Sequence, residues 1–224
     1  MKEKTEEKVK TEKGRRVCDE LERLYPDAVC SLEYSEPHEL MIATRLSAQC
    51  TDARVNIVTK TLFEKYRTVE DFAAADYEEL CEIIRPCGFY RTKARSIIEM
   101  CQSLLERFEG RVPDNMEDLL SLSGIGRKTA NLLLGDLYGK EGVIIADTHF
   151  IRIMKRIGIT ESTDPKKAEM EARGYIPPER SSDLCHRVVL FGRDICRARK
   201  TDCERCPLTD VCRAFVNKKF TIKD

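Results

Sequence analysis

Four cysteines crowd into 17 residues of this chain, Cys196-x6-Cys203-x2-Cys206-x5-Cys212, while the other seven are scattered. Thiols this dense constrain a fold, because a shared ligand cross-links the segment that carries them. Four thiolates close either a structural zinc site or a [4Fe–4S] cluster. Zinc sites more often show two short Cys-x2-Cys knuckles, and here there is one, so the spacing leans toward iron–sulfur. Four unligated buried thiols are the plainer alternative. Disulfides fit poorly, since Met1–Arg16 carries seven basic and four acidic residues with Val9 its only hydrophobic residue after Met1. That is no secretion signal, and its acids argue against a mitochondrial transit peptide. Arg193, Arg197, Arg199 and Lys200 surround the first cysteine. Once the cysteines are pinned, Arg197 to Asp202 becomes a loop that presents Arg199 and Lys200 outward.

The rest of the chain reads as helix. From Arg91 to Phe108, apolar residues fall at Ile97, Ile98, Cys101, Leu104, Leu105 and Phe108, the stripe of a helix with one buried face. Asp76 with Glu79, and Asp114 with Glu117, mark capped starts. Pro37 opens a helix through Leu40, Ile42 and Leu46, and Thr51 or Asp52 opens another through Val55, Val58, Leu62 and Phe63. Stops fall at Pro86 and Gly88, at Gly110 to Pro113, and at Gly139 to Gly142. Val143 to Ala146 is either a four-residue strand or a buried approach to the next helix. About ten helices, with no βαβ pattern and no fixed repeat, predict an all-α protein.

The 224 residues leave room for one or two domains with a sizeable core. No apolar run approaches the ~18 residues a membrane span needs. With 39 basic and 39 acidic residues, the net charge of zero argues against an indiscriminate DNA-coating protein, and says nothing against a localised basic surface. From Cys185 to Asp224 there are ten basic and five acidic residues, so that end can offer phosphates a positive face.

The sharpest local feature is Leu122-Ser123-Gly124-Ile125-Gly126-Arg127-Lys128-Thr129-Ala130, between a capped helix (Glu117 to Leu122) and an apolar one (Thr129 to Leu137). Gly124 and Gly126, either side of one apolar residue, allow a tight hairpin with positive φ and close backbone approach. The amides that follow point from a helix N-terminus, where a phosphate oxygen is favourably held. This is a helix-hairpin-helix signature. Lys128, in the first helical turn, sits where the helix dipole disfavours an ammonium. Partial desolvation there would make a neutral amine nucleophile accessible, though a plain phosphate-binding lysine would fit the position too. Asp147, after the buried run, is either a helix cap or a carboxylate held where positive charge develops on a sugar.

Taken together, these motifs resemble endonuclease III, the DNA glycosylase/AP lyase family. Leu46-Ser47-Ala48-Gln49 with Thr51-Asp52, Gly88-Phe89-Tyr90-Arg91-Thr92-Lys93-Ala94, the hairpin through Asn131, Ala146-Asp147-Thr148-His149 and the cysteine run follow in matching order from about Glu36 to Cys212. The resemblance implies two helical domains with a cleft between them. Residues 30–141 would form a six-helix barrel bearing the helix-hairpin-helix, and residues 1–29 with 142–224 an iron–sulfur domain. It casts Lys128 as nucleophile, Asp147 as its carboxylate partner and His149 as a supporting residue. Gln49 resembles the family's residue that fills the gap left by an extruded nucleotide. Phe89 falls where the family usually carries an aliphatic wedge, and an aromatic ring there can still intercalate. Gly124, Gly126, Arg199 and Lys200 would contact DNA, and Cys196, Cys203, Cys206 and Cys212 would hold a [4Fe–4S] cluster.

The implied activity is removal of oxidised pyrimidines from double-stranded DNA, then cleavage of the abasic site by β-elimination through a lysine Schiff base, in base excision repair. Its expected setting is a monomer in a prokaryotic cytoplasm, at the nucleoid and not at a membrane. Two rival readings remain at the level of sequence. One is a monofunctional adenine or mismatch-thymine glycosylase; such enzymes usually lack lysine at the hairpin position, and the adenine enzymes carry an extra domain after the cluster. The other is a non-catalytic DNA-binding protein with a structural metal.

Overall fold

A computed structural model describes residues 2–217. In chain order its helices are α1 (Lys2–Leu24), α2 (Pro37–Leu46), α3 (Asp52–Lys65), α4 (Val69–Ala73), α5 (Tyr77–Ile84), α6 (Tyr90–Phe108), α7 (Met116–Leu120), α8 (Arg127–Tyr138), α9 (Thr148–Ile157), α10 (Pro165–Arg173), α11 (Ser181–Asp194) and α12 (Arg213–Val216). Short 3-10 turns cover Arg85–Cys87 and Pro178–Arg180. The described residues contain no strand, and the all-α expectation stands. Val143–Ala146 is the buried approach to α9. No described helix is long and apolar enough to cross a membrane. The chain divides into two compact units, one of Cys30–Tyr138, the other joining the chain up to Val29 with the chain from Gly139 onward.

In the Cys30–Tyr138 unit, side-chain caps start most helices. The Glu39 carboxylate accepts from the amides of Glu36 and Ser35, ahead of Pro37 in the first turn of α2. Thr51 accepts from Arg54 N to start α3, and Asp76 accepts from Glu79 N to start α5, as the sequence predicts. The start of α7 differs by one residue: Asn115, not Asp114, accepts from Asp118 N, and the helix ends at Leu120. Both side chains cap well, so sequence alone leaves the register open. Along α6 the buried stripe is Lys93, Ala94, Ser96, Ile97, Met100, Cys101 and Leu104, with Ile98, Leu105 and Phe108 only half-buried. The predicted stripe is therefore rotated: its centre lies toward Met100. Phe72, fully buried, packs near the rings of Tyr66 and Phe63 at 5.3 and 6.3 Å.

In the other unit, α11 packs against both α1 and α9. Arg180 donates to Asp19 at 2.7 Å and to Glu22 at 2.5 Å, tying the first helix to residues some 160 positions away. Val17, Leu21, Phe150, Met154, Val188 and Phe191 fill this core.

Candidate functional site

The hairpin between α7 and α8 is built on α2 and α6. Ile125 is buried and donates its amide to Leu122 O at 3.2 Å, closing the turn. Gly124 takes φ +79°, and a Cβ there would fall 2.6 Å from Arg45 Nε and 3.1 Å from Ser96 Oγ. Only glycine admits both the turn and the guanidinium behind it. That guanidinium, from α2, donates to Ser96 Oγ of α6 at 2.6 Å, and Ser123 Oγ donates to Glu99 at 2.8 Å. Gly126 departs from expectation. It lies outside the left-handed region, and a Cβ there would meet nothing within 4 Å. Its carbonyl already accepts from Ala130 N at the entry to α8, so the chain reversal is complete at Gly124.

Lys128 stands exposed in the first turn of α8. The partial desolvation considered from sequence is therefore not supplied by the protein itself; it would have to come from a bound ligand. In the same unit, Gln49 and Phe89 occupy the tips of two short loops at φ +56° and +48°, both exposed, Phe89 at 66%. Left-handed backbone at non-glycine residues is uncommon; the third case among the described residues, Glu109 at φ +53°, only ends α6. Beneath Gln49 and Phe89 the Cys87 thiol is pushed up to about 11 by burial and by its contact with Cys50.

In the other unit, Asp147 is half-buried and caps α9, its Oδ1 accepting from Phe150 N at 2.7 Å. His149 packs against Gly192 of α11, where a Cβ would fall 2.4 Å from its Nδ1. Arg152 connects this end of α9 to the cysteine segment. It lies 3.2 Å from His149 Nδ1, donates to Cys196 O at 3.0 Å and is electrostatically coupled to Asp147.

Cys196, Cys203, Cys206 and Cys212 line one cavity together with Ile153, Phe191 and Leu208. No group of three or more His, Cys, Asp or Glu among the described residues is gathered as for a single metal ion. Burial and the three neighbouring thiols push Cys206 up to about 12, so four thiolates can coexist here only around compensating positive charge. Arg156 approaches Cys196 Sγ at 3.3 Å and donates to the carbonyls of Arg197 and Ala198 at 2.7 and 2.9 Å. It thereby pins the loop on which Arg199 and Lys200 stand exposed. Of the basic residues counted in this end of the chain, Lys218, Lys219 and Lys223 lie outside the described residues.

Residues 42–178 match the HhH-GPD superfamily of base excision DNA repair proteins. Endonuclease III of Synechocystis sp. is 42% identical over 192 residues, 86% of this chain and 88% of its own. The Bacillus subtilis endonuclease III is 41% identical over 196 residues, 87% and 89% of the two chains. The chain belongs to the endonuclease III family. A solved endonuclease III–DNA covalent intermediate, trapped in an estranged-adenine complex, superposes with a TM-score of 0.86 at 42% identity, over 94% of this chain and 99% of that one. A thermostable thymine-DNA glycosylase superposes at 0.81 but is 20% identical, a likeness of fold alone.

Several residues that position these elements within their units escape sequence reading. Arg45, Ser96, Arg152 and Arg156 act across gaps of roughly 40 to 50 residues, and arginine or serine on a helix carries no local sign of its partner. Lys93 lies within the Gly88–Ala94 motif, yet a lysine at helical spacing reads as solvated. It is 1% exposed.

Proposed function

We propose that this chain works as its family does. It is a bifunctional DNA glycosylase/AP lyase that removes oxidised pyrimidines from double-stranded DNA and cleaves the abasic site by β-elimination. The observation that carries this reading is an exposed amine, Lys128, in the first turn of the hairpin's second helix, in a chain 42% identical to a protein trapped covalently on DNA. A monofunctional glycosylase has no use for a nucleophile there.

The reaction begins with extrusion of the damaged nucleotide, which costs least where the lesion already weakens stacking. Gln49 and Phe89 enter the space vacated, and the Gly124–Gly126 turn, Arg199 and Lys200 hold phosphates. Enclosed by DNA, the Lys128 amine is brought against the sugar of the extruded nucleotide. It attacks C1′ as the C1′–N bond breaks, the electron pair leaving with the base, which takes up a proton. Asp147 opposes the positive charge on the sugar and assists removal of the lysine proton, with His149 and Arg152 holding that end of α9. The sugar ring opens to an iminium, C2′ gives up a proton, and its electrons expel the 3′ phosphate.

Cys196, Cys203, Cys206 and Cys212 fit a [4Fe–4S] cluster: four thiols around one cavity, with an arginine directed at one sulfur. Such a cluster supplies four iron–thiolate bonds that cross-link the segment. About four irons per chain and visible absorption are expected, and stoichiometric zinc from iron-replete protein would overturn the assignment. The expected setting is a monomer acting on damaged or abasic duplex DNA in a prokaryotic cytoplasm.

The test is product analysis on a duplex carrying one oxidised pyrimidine. Free base and a strand cut 3′ to the lesion should accumulate together. Base without the cut would mean a monofunctional enzyme, and neither product would leave a binding protein.

A further inference from the structure

Gln49 and Phe89 sit on separate loops, and both loops rest on one buried cation. Lys93 Nζ, projecting from the first turn of α6, donates to Leu46 O at 2.7 Å and to Cys87 O at 2.9 Å. Leu46 is the last residue of α2, three before Gln49. Cys87 is the last residue of the 3-10 turn Arg85–Cys87, two before Phe89. The ammonium therefore bonds the carbonyl ends of two helical segments, where a positive charge is favoured, immediately before each chain turns into its left-handed residue. The two loops also touch below the tips, where the Cys50 and Cys87 thiols make contact.

Packing does not explain a lysine at this position. A methionine of similar length would fill the space without the cost of burying a charge, and such replacements in cores are often neutral. What the ammonium adds is two directed, charge-assisted bonds from one atom to two loops. We infer that Lys93 is a positioning residue for nucleotide extrusion: it fixes the Gln49 and Phe89 tips relative to each other, so that both enter the duplex as one wedge. This rests on the insertion roles proposed above for Gln49 and Phe89.

The experiment compares Lys93→Met with Lys93→Arg, which keeps the cation and its donors. Hydrogen exchange gives the direct readout. In Lys93→Met the amides of residues 49–52 and 88–93 should exchange about tenfold faster or more, with the α4 and α8 amides unchanged. Single-turnover excision of an oxidised pyrimidine from duplex DNA should slow by about ten- to hundredfold. Cleavage of a duplex that already holds an abasic site should change by about twofold or less, since little extrusion is required. Lys93→Arg should restore part of both losses. If Lys93→Met does not fold, Lys93→Gln, with a shorter neutral donor, is read the same way. Uniform exchange across the unit, or equal slowing on both substrates, would make Lys93 merely structural and overturn the inference. Gln49→Ala and Phe89→Ala, run alongside, separate the two failures. If they too slow both substrates equally or neither, the insertion roles have failed. If they discriminate and Lys93→Met does not, only the Lys93 inference falls.

Discussion

Between Leu120 and Arg127 the hairpin is held by its own polypeptide: a glycine at positive φ, a buried isoleucine, a side-chain bond from Ser123 to Glu99, and one from Arg45 to Ser96 behind the turn. Between Asp194 and Arg213 the cysteine segment has no helix among its described residues. It depends on Arg152 and Arg156 reaching across from α9, and on four thiols facing one cavity. Both regions present exposed cations, Lys128 in one and Arg199 with Lys200 in the other. The first needs nothing but its chain to keep that shape, whereas the second would keep it by cross-linking through the proposed cluster. Disturbing the ligand should therefore damage one region and spare the other.

The largest effect is expected from breaking the cross-link. Cys206→Ser, or removal of iron, should raise amide exchange across Cys196–Cys212 by about 10²-fold or more, while the Cys30–Tyr138 unit keeps its protection. Equal loosening of both would end the contrast. Next comes Asp147→Asn. Asparagine caps a helix about as well as aspartate, so stability should move by only a few tenths of a kcal/mol. Base removal should nevertheless fall by about 10²-fold, the scale of one electrostatic stabiliser, with a smaller loss on pre-formed abasic sites. A change in melting temperature without a change in rate would reduce Asp147 to a cap.

Gly124→Ala probes the self-supported region. It forces a side chain into φ +79° and against Arg45, and should cost about 2 kcal/mol in denaturant unfolding, with weakened duplex binding. Gly126→Ala, with open space and ordinary φ, should cost far less. A comparable loss there would mean that the approach to phosphate, not the turn, is what glycine serves. The smallest effect is expected from Arg199→Ala combined with Lys200→Ala. The slope of log affinity against log salt should shrink by up to about two, as for two lost phosphate contacts. An unchanged slope would place the phosphate footprint elsewhere.

Features confined to a few neighbouring residues were the ones legible in the sequence. The hairpin, the caps at Thr51 and Asp76, the buried approach to α9 and the cysteine run each carry their signal within a short window. The register of α7 was lost because Asp114 and Asn115 are equally good caps. The α6 stripe was misplaced toward Phe108 because periodicity finds a helix's apolar side more surely than the centre of its contact. Arg45, Lys93, Arg152 and Arg156 were not legible in their roles, since a charged residue's buried partner lies far along the chain. These are the residues that join separate elements, and only the folded chain shows what they join.

Whether Lys128 is the nucleophile is read out by borohydride trapping. Protein, abasic-site duplex and borohydride together should give a stable covalent adduct, because reduction converts the transient iminium into an amine. Peptide mapping should place the adduct on Lys128. Lys128→Gln should abolish trapping while binding to the lesion duplex largely survives. An adduct formed undiminished by Lys128→Gln, or mapped to another amine, would place the nucleophile elsewhere.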